Sequence, residues 1–257
     1  MHFSKSQVAA FLLSISTATA KSPLDARQAG VEDLGWGPIC GLQPTNSEIV
    51  STISTMYPGK MPSGQKGYLF TWIGIQGTSS SGAQEGDLVQ SIVGSYPAGS
   101  SECSGSDADT AWCVSSEVYG KDSSGSLIQF VGDKRTADVN YENGIVFNYT
   151  LVDKSTYLWE QTMTDAVTGE VLATYQKTSG AMKLWNTAIE KQDASGNDPS
   201  GTTEPQYYVN TTITLAAADK SYSAGIYGQN GATYTDMTTT DDGKTWFIEK
   251  ITIPAME

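Results

Sequence analysis

The sequence predicts an all-β fold, a β-sandwich, and three observations carry that prediction. Apolar and polar residues alternate in short runs repeating at about 8–12 residues, with turn-forming residues between them, which is the periodicity of half-buried strands. Charged residues are only 17% of the chain, while 26 Gly, 13 Tyr and abundant Ser and Thr suit pleated strands and tight turns better than helices. No segment carries an apolar stripe at helical spacing over three turns.

The densest part of the pattern is Tyr68 to Tyr96. Two apolar runs, Tyr68–Ile75 and Leu88–Val93, flank a Gly/Ser-rich loop and predict two neighbouring buried strands. Gln90 interrupts the second run. A buried amide without partners costs about 1–3 kcal/mol, so Gln90 is either on a solvent face or held in a site. Before this pair, Gly35-Trp36-Gly37-Pro38 predicts a turn-rich entry and Ile49–Met56 a first strand, closed by Tyr57-Pro58-Gly59. After it, strands are predicted over Thr110–Tyr119, Ser126–Val131, Gly144–Val152, Tyr157–Thr164 and Glu170–Tyr175. Thr164 to Gly169 reads as a hairpin loop between the last two. Trp185–Lys191 fits a strand or a helical turn, Asp193–Pro205 is a loop, and Tyr207–Leu215, Tyr222–Tyr227, Thr233–Met237 and Trp246–Ile253 complete the strands.

The ends and the charge narrow the context. Lys5, an apolar segment from Val8 to Ile15 and Ala18-Thr19-Ala20 have the order of a signal peptide, so residues 1–20 are expected to direct secretion. Residues 21–34 then form a polar lead and residues 35–257 a single domain, expected to be a monomer. The apolar segment is too short to span a bilayer, and no membrane partner is expected. With 28 Asp and Glu against 15 Lys and Arg, the chain repels phosphate backbones, which argues against nucleic acid. Sequons at Asn148 and Asn210 fit the same route and mark candidate glycosylation sites. Cys103 and Cys113 are close enough in sequence to close one loop as a disulfide, leaving Cys40 as a buried thiol.

One histidine is present, His2, inside the signal segment. The remainder therefore has no Ser-His-Asp or Cys-His nucleophile system and no imidazole-ligated zinc site. Neither metal nor cofactor is expected, and chemistry falls to carboxylates, amides, Tyr and Lys. Asp107, Asp109 and Glu117 group around the Cys103 loop and read as a solvated acidic edge, since their spacing is not that of a calcium loop.

The order of several short motifs resembles the eqolisins, the glutamic peptidases secreted by fungi. Trp36-Gly37 is similar to that family's opening, Trp72-Ile73-Gly74-Ile75-Gln76-Gly77 to its W-V-G-I-D-G strand, and Leu88-Val89-Gln90-Ser91 to its L-Q-T-G segment. Asp109-Thr110-Ala111-Trp112 resembles Y-D-A-W, Thr164 to Gly169 the L-T-T-G hairpin, and Ala188-Ile189-Glu190 the segment ending in the family's catalytic Glu. The resemblance covers most of residues 36–192. It implies a concanavalin-like or jelly-roll sandwich and an acid endopeptidase in which Glu190 acts as general base on a water that Gln90 orients. It further implies a cleft lined by Trp72, Gln76, Trp112 and Tyr227. Gln76 stands where the family has Asp, and Cys113 to Tyr119 replaces its acidic and aromatic Y-E-W-Y-P.

Two other functions compete with the peptidase. A cleft of Trp and Tyr with few donors also serves a cofactor-free small-molecule cyclase, such as the hetero-Diels-Alderases of fungal secondary metabolism, where orientation matters more than proton transfer. Tyr222 to Gln229 resembles a strand of alginate-lyase-type jelly rolls, in which Tyr227 would act in elimination. The histidine and Arg-rich strand of that family are missing, so a lyase or carbohydrate-binding sandwich ranks third. The substrate is accordingly a peptide or a small molecule.

Overall fold

A computed structural model describes residues 34–62, 67–80, 84–100, 108–192 and 203–256, together with Gly82 and Cys103. The expected signal segment, all but the last residue of the polar lead, Asp107 and residues 193–202 lie outside the described residues. Within them the chain is almost entirely strand, in chain order β1 (Leu34–Leu42), β2 (Ile49–Tyr57), β3 (Tyr68–Thr78), β4 (Gln84–Ser95), β5 (Cys113–Lys121), β6 (Leu127–Ala137), β7 (Ile145–Asp153), β8 (Leu158–Asp165), β9 (Val171–Thr178), β10 (Leu184–Gln192), β11 (Gln206–Leu215), β12 (Ile226–Gln229), β13 (Thr233–Tyr234), β14 (Thr238–Thr239) and β15 (Thr245–Ile253).

Every pairing is antiparallel. One sheet runs β12-β1-β10-β3-β4-β5-β6 and the other β9-β8-β7-β2-β11-β15-β13, with β14 also on β15. The long β6 touches both: Leu127–Val131 and Arg135–Ala137 pair with β5, and Lys134 between them pairs with Thr174 of β9. The two sheets are therefore joined along one side through β6, and the expected all-β sandwich is the observed architecture.

The apolar core lies between the sheets. Ile73, Ile75, Val89, Val93, Val118, Trp185 and Ile189 of the first sheet meet Phe147, Tyr149, Trp159, Met163, Tyr208, Ile213 and Ile248 of the second. Polar side chains that enter this layer are paired across it, as burial of a lone polar group would be costly. Tyr149 Oη donates to the Ile73 carbonyl at 2.7 Å, Thr71 Oγ1 to Gln206 Oε1 at 2.8 Å, and Gln161 Nε2 to the Glu117 carbonyl at 2.8 Å.

Three expectations are corrected and one open alternative is resolved. Gly35 to Pro38 is not a turn but part of β1, because Pro38, which lacks an N–H, sits in the irregularity between Trp36 and Ile39 where no ladder bond is required. Trp185–Lys191 resolves as strand β10, placed between β1 and β3. Thr110 to Trp112 is turn, and the strand begins at Cys113. Tyr222–Gly225 is a 3-10 turn rather than strand, since Ser221 Oγ and N–H both bond to Asp219 Oδ1 and hold the chain in a local turn ahead of β12.

Candidate functional site

Directly paired residues of an antiparallel sheet share a face, so register alone sorts the first sheet into a core side and an outer side. One outer-side row crosses six strands: Tyr227 of β12, Gly41 of β1, Asn186 of β10, Gly74 of β3, Gln90 of β4 and Glu117 of β5. A neighbouring row holds Leu184, Gln76, Leu88, Tyr119 and Gln129; the row on the other side holds Ala188, Trp72, Ile92 and Ser115. Amides, a phenol and an indole thus converge on one patch that faces away from the inter-sheet core.

The two glycines give the row its relief. A Cβ on Gly41 would lie 2.2 Å from Asn186 Oδ1 and 2.6 Å from Tyr227 Oη, and one on Gly74 would lie 2.9 Å from Leu88 Cδ1. The hydrogen atom at Gly41 is what lets Tyr227 Oη donate to Asn186 Oδ1 at 2.9 Å across β1. That bond fixes the amide of Asn186 with its oxygen toward Tyr227, and among the described residues its Nδ2 has no protein partner. Burial pushes the Tyr227 phenol up to about 12, so it stays protonated and remains a donor.

The floor is closed to solvent: Asn186 is 4% exposed, Gln90 7% and Glu117 0%. Gln90 Nε2 donates to Gln129 Oε1 at a long 3.4 Å, and Gln76 Nε2 to the Gly86 carbonyl at 3.5 Å. Gln129 Nε2 and Gln76 Oε1 are buried without a partner among the described residues. Buried polar groups are normally hydrogen-bonded, so both atoms are open to a further partner.

Gln90 lies on the outer face with Trp72 and Gln76, as the motif order implied. Glu190 shares that face. β3 pairs Gly74 with Gln90 and Phe70 with Glu190, so their backbone positions sit four residues apart along β3 and on opposite sides of it. That backbone offset is about 13 Å along the strands and about 10 Å across them. Glu190 accepts from Trp72 Nε1 at 3.2 Å and from Gln192 Nε2, at the aromatic end formed by Trp36, Tyr68, Phe70, Trp72 and Tyr96. Trp36 and Trp72 meet edge to face there, with centroids 6.4 Å apart.

Other expected residues fall elsewhere. Trp112 packs in the inter-sheet core and donates from Nε1 to the Gly59 carbonyl at 2.9 Å, because the turn before β5 directs it inward. Glu117 is not part of a solvated edge: it is buried beside Gln90 and accepts from Ser115 Oγ, while Asp109 stays half-exposed. Cys103 and Cys113 are disulfide-bonded, with Cα atoms 6.1 Å apart, and anchor the loop before β5 onto the aromatic end. Cys40 is a buried thiol, and burial pushes it up to about 12. Asn186 and Gln129 were missed by sequence reasoning. Among the described residues no three of His, Cys, Asp and Glu are grouped as metal ligands, and no helix is long and apolar enough to cross a membrane.

No family profile and no curated protein sequence matches the chain. Among solved structures it is similar to scytalidoglutamic peptidase with a peptide-based transition-state analogue, at 13% identity and a TM-score of 0.47, covering 85% of this chain and 98% of that one. It is similar to SCP-B, a member of the eqolisin family in complex with the tripeptide Ala-Ile-His, at 14% identity and 0.46, with the same coverage. A legume-lectin-like domain from Entamoeba histolytica aligns at 6% identity and 0.32, over 93% of this chain and 95% of that one. The first two are glutamic peptidases, the family whose motif order the sequence resembles.

Proposed function

We propose that this chain is a secreted, cofactor-free enzyme that binds a small, largely apolar molecule over Trp72 and Ile92 and promotes its cyclisation through neutral hydrogen-bond donors. The observation that carries this reading is the row Tyr227–Asn186–Gln90 with the unmet Nε2 donor of Gln129 beside it. These groups do not titrate near neutrality, so they polarise a carbonyl rather than move protons. An intramolecular hetero-Diels-Alder reaction needs no more: two σ bonds form at the expense of two π bonds, no atom leaves, and a donor on the heterodiene carbonyl lowers the barrier. Holding both π partners face to face on an indole supplies the rest through orientation. A floor this occluded suits a compact ligand better than an extended polypeptide.

An o-quinone methide tethered to an electron-rich alkene, generated in place from its phenolic precursor, tests the reading. Accelerated formation of one enantiomer of the dihydropyran is expected; racemic product at the background rate would sink it. A second reading is kept by one observation, that Gln90 and Glu117 are direct cross-strand neighbours. Acid peptidase activity on this scaffold would use Glu117 as the carboxylate beside Gln90. Cleavage of casein at acidic pH that disappears in Glu117→Gln would favour it over cyclisation.

A further inference from the structure

The outer face of the second sheet carries the molecule's exposed apolar side chains and both of its sequons. Register places Phe247 opposite Thr212, Thr212 opposite Ile53, and Ile53 opposite Asn148, four neighbours in one outward row across β15, β11, β2 and β7. Ile53 is 43% exposed and Phe247 37%. Asn210 is exposed at the irregularity between Val209 and Thr212, with φ of 55°. Asn148 therefore lies beside Ile53 at one end of the row, and Asn210 lies on β11 two residues from Thr212, the residue between Ile53 and Phe247.

The chemistry of the two asparagines fits modification. Among the described residues neither side chain donates a hydrogen bond from Nδ2, the atom an N-glycan would occupy. In the Asn148 sequon the Thr150 hydroxyl donates to Asn148 Oδ1 at 3.4 Å, which leaves Nδ2 directed outward. Strand alternation puts Val146, Asn148 and Thr150 on the solvent side while Ile145, Phe147 and Tyr149 fill the core. A left-handed residue at Asn210 projects its side chain clear of the ladder.

We infer that Asn148 and Asn210 are both N-glycosylated and that the two glycans cover the Ile53–Phe247 strip, making the second sheet the carbohydrate-shielded back of the molecule. The site face, on the first sheet, then stays free for ligand. The inference is independent of which reaction the site performs.

The test is secretion of the full chain from a yeast host, followed by peptide mapping before and after enzymatic deglycosylation, which converts each glycosylated Asn to Asp. Conversion at both Asn148 and Asn210 is expected. Secreted protein with either position unconverted, or chain retained in the cell with neither modified, overturns the inference; in the second case an intact N-terminus shows that export itself failed. Coverage has its own readout. Asn148→Gln with Asn210→Gln should bind several-fold more of a hydrophobic dye than the glycosylated protein, and adding Ile53→Thr and Phe247→Thr should reverse the gain. Unchanged dye binding, or a back-to-back dimer that forms equally well with glycans in place, would overturn the shielding role.

Discussion

Asn186 is the residue on which the site reading depends, because its amide is oriented by Tyr227 and its donor atom has no partner among the described residues. Asn186→Leu keeps the volume and removes the donor, and Gln90→Leu does the same on the far side of Gly74. Each is expected to reduce cyclisation about 10- to 100-fold, worth about 1.4–2.7 kcal/mol, and to lower stability by about 1–3 kcal/mol, because Tyr227 Oη or Gln129 Oε1 loses its partner. Glu190→Gln should leave the rate within about twofold, since its carboxylate serves the Trp72 indole at the aromatic end. Asp219 makes a different prediction. Burial works against its charge, but hydrogen bonds from Ser221, Asn46 and Thr45 outweigh that and lower it to about 2. A depressed carboxylate stabilises the fold fully above its unfolded value near 4 and loses that contribution as pH falls toward 2. Urea unfolding between those limits should show the loss, and Asp219→Asn should flatten it. At this scale the sequence was half legible. Gln90 and Gln76 were visible because they interrupt apolar runs, whereas Asn186 sits among polar neighbours, and Glu190 was favoured by its two preceding aliphatics although only register decides which residues meet.

Strand type and order were legible from alternation, and so was the sandwich. The errors came where local chemistry competes with alternation: a proline inside β1 that looked like a turn, and an Asp219-centred turn that looked like strand. Gly41 offers a test at this level. Alanine there would place a Cβ against both Asn186 Oδ1 and Tyr227 Oη, so Gly41→Ala should part the pair and lower activity as much as Asn186→Leu without touching either side chain. Its cost in stability is expected at about 1–3 kcal/mol, read from chemical denaturation. The Cys103–Cys113 bridge spans 10 residues, and replacing both with Ser should cost about 2–3 kcal/mol by releasing the loop in the unfolded chain.

For the molecule as a whole, a net charge of −13 is spread over two sheets with different duties, one presenting the amide and indole patch and the other the strip beside the sequons. The strand that belongs to both sheets orders their assembly. β3, β4, β5 and β6 are consecutive in sequence and adjacent in space, and so are β7, β8 and β9, so each meander pairs neighbours in sequence, through short loops except between Ser95 and Cys113. Asn186 and Tyr227 arrive on β10 and β12, which join far from their sequence neighbours and must close long loops first. A nascent chain ending before residue 180 therefore carries Gln76 and Trp72 on β3 as an edge strand, with Gln90 one strand inside it. The polar row comes into being only when the last strands dock, which withholds binding competence from every incomplete form of the protein.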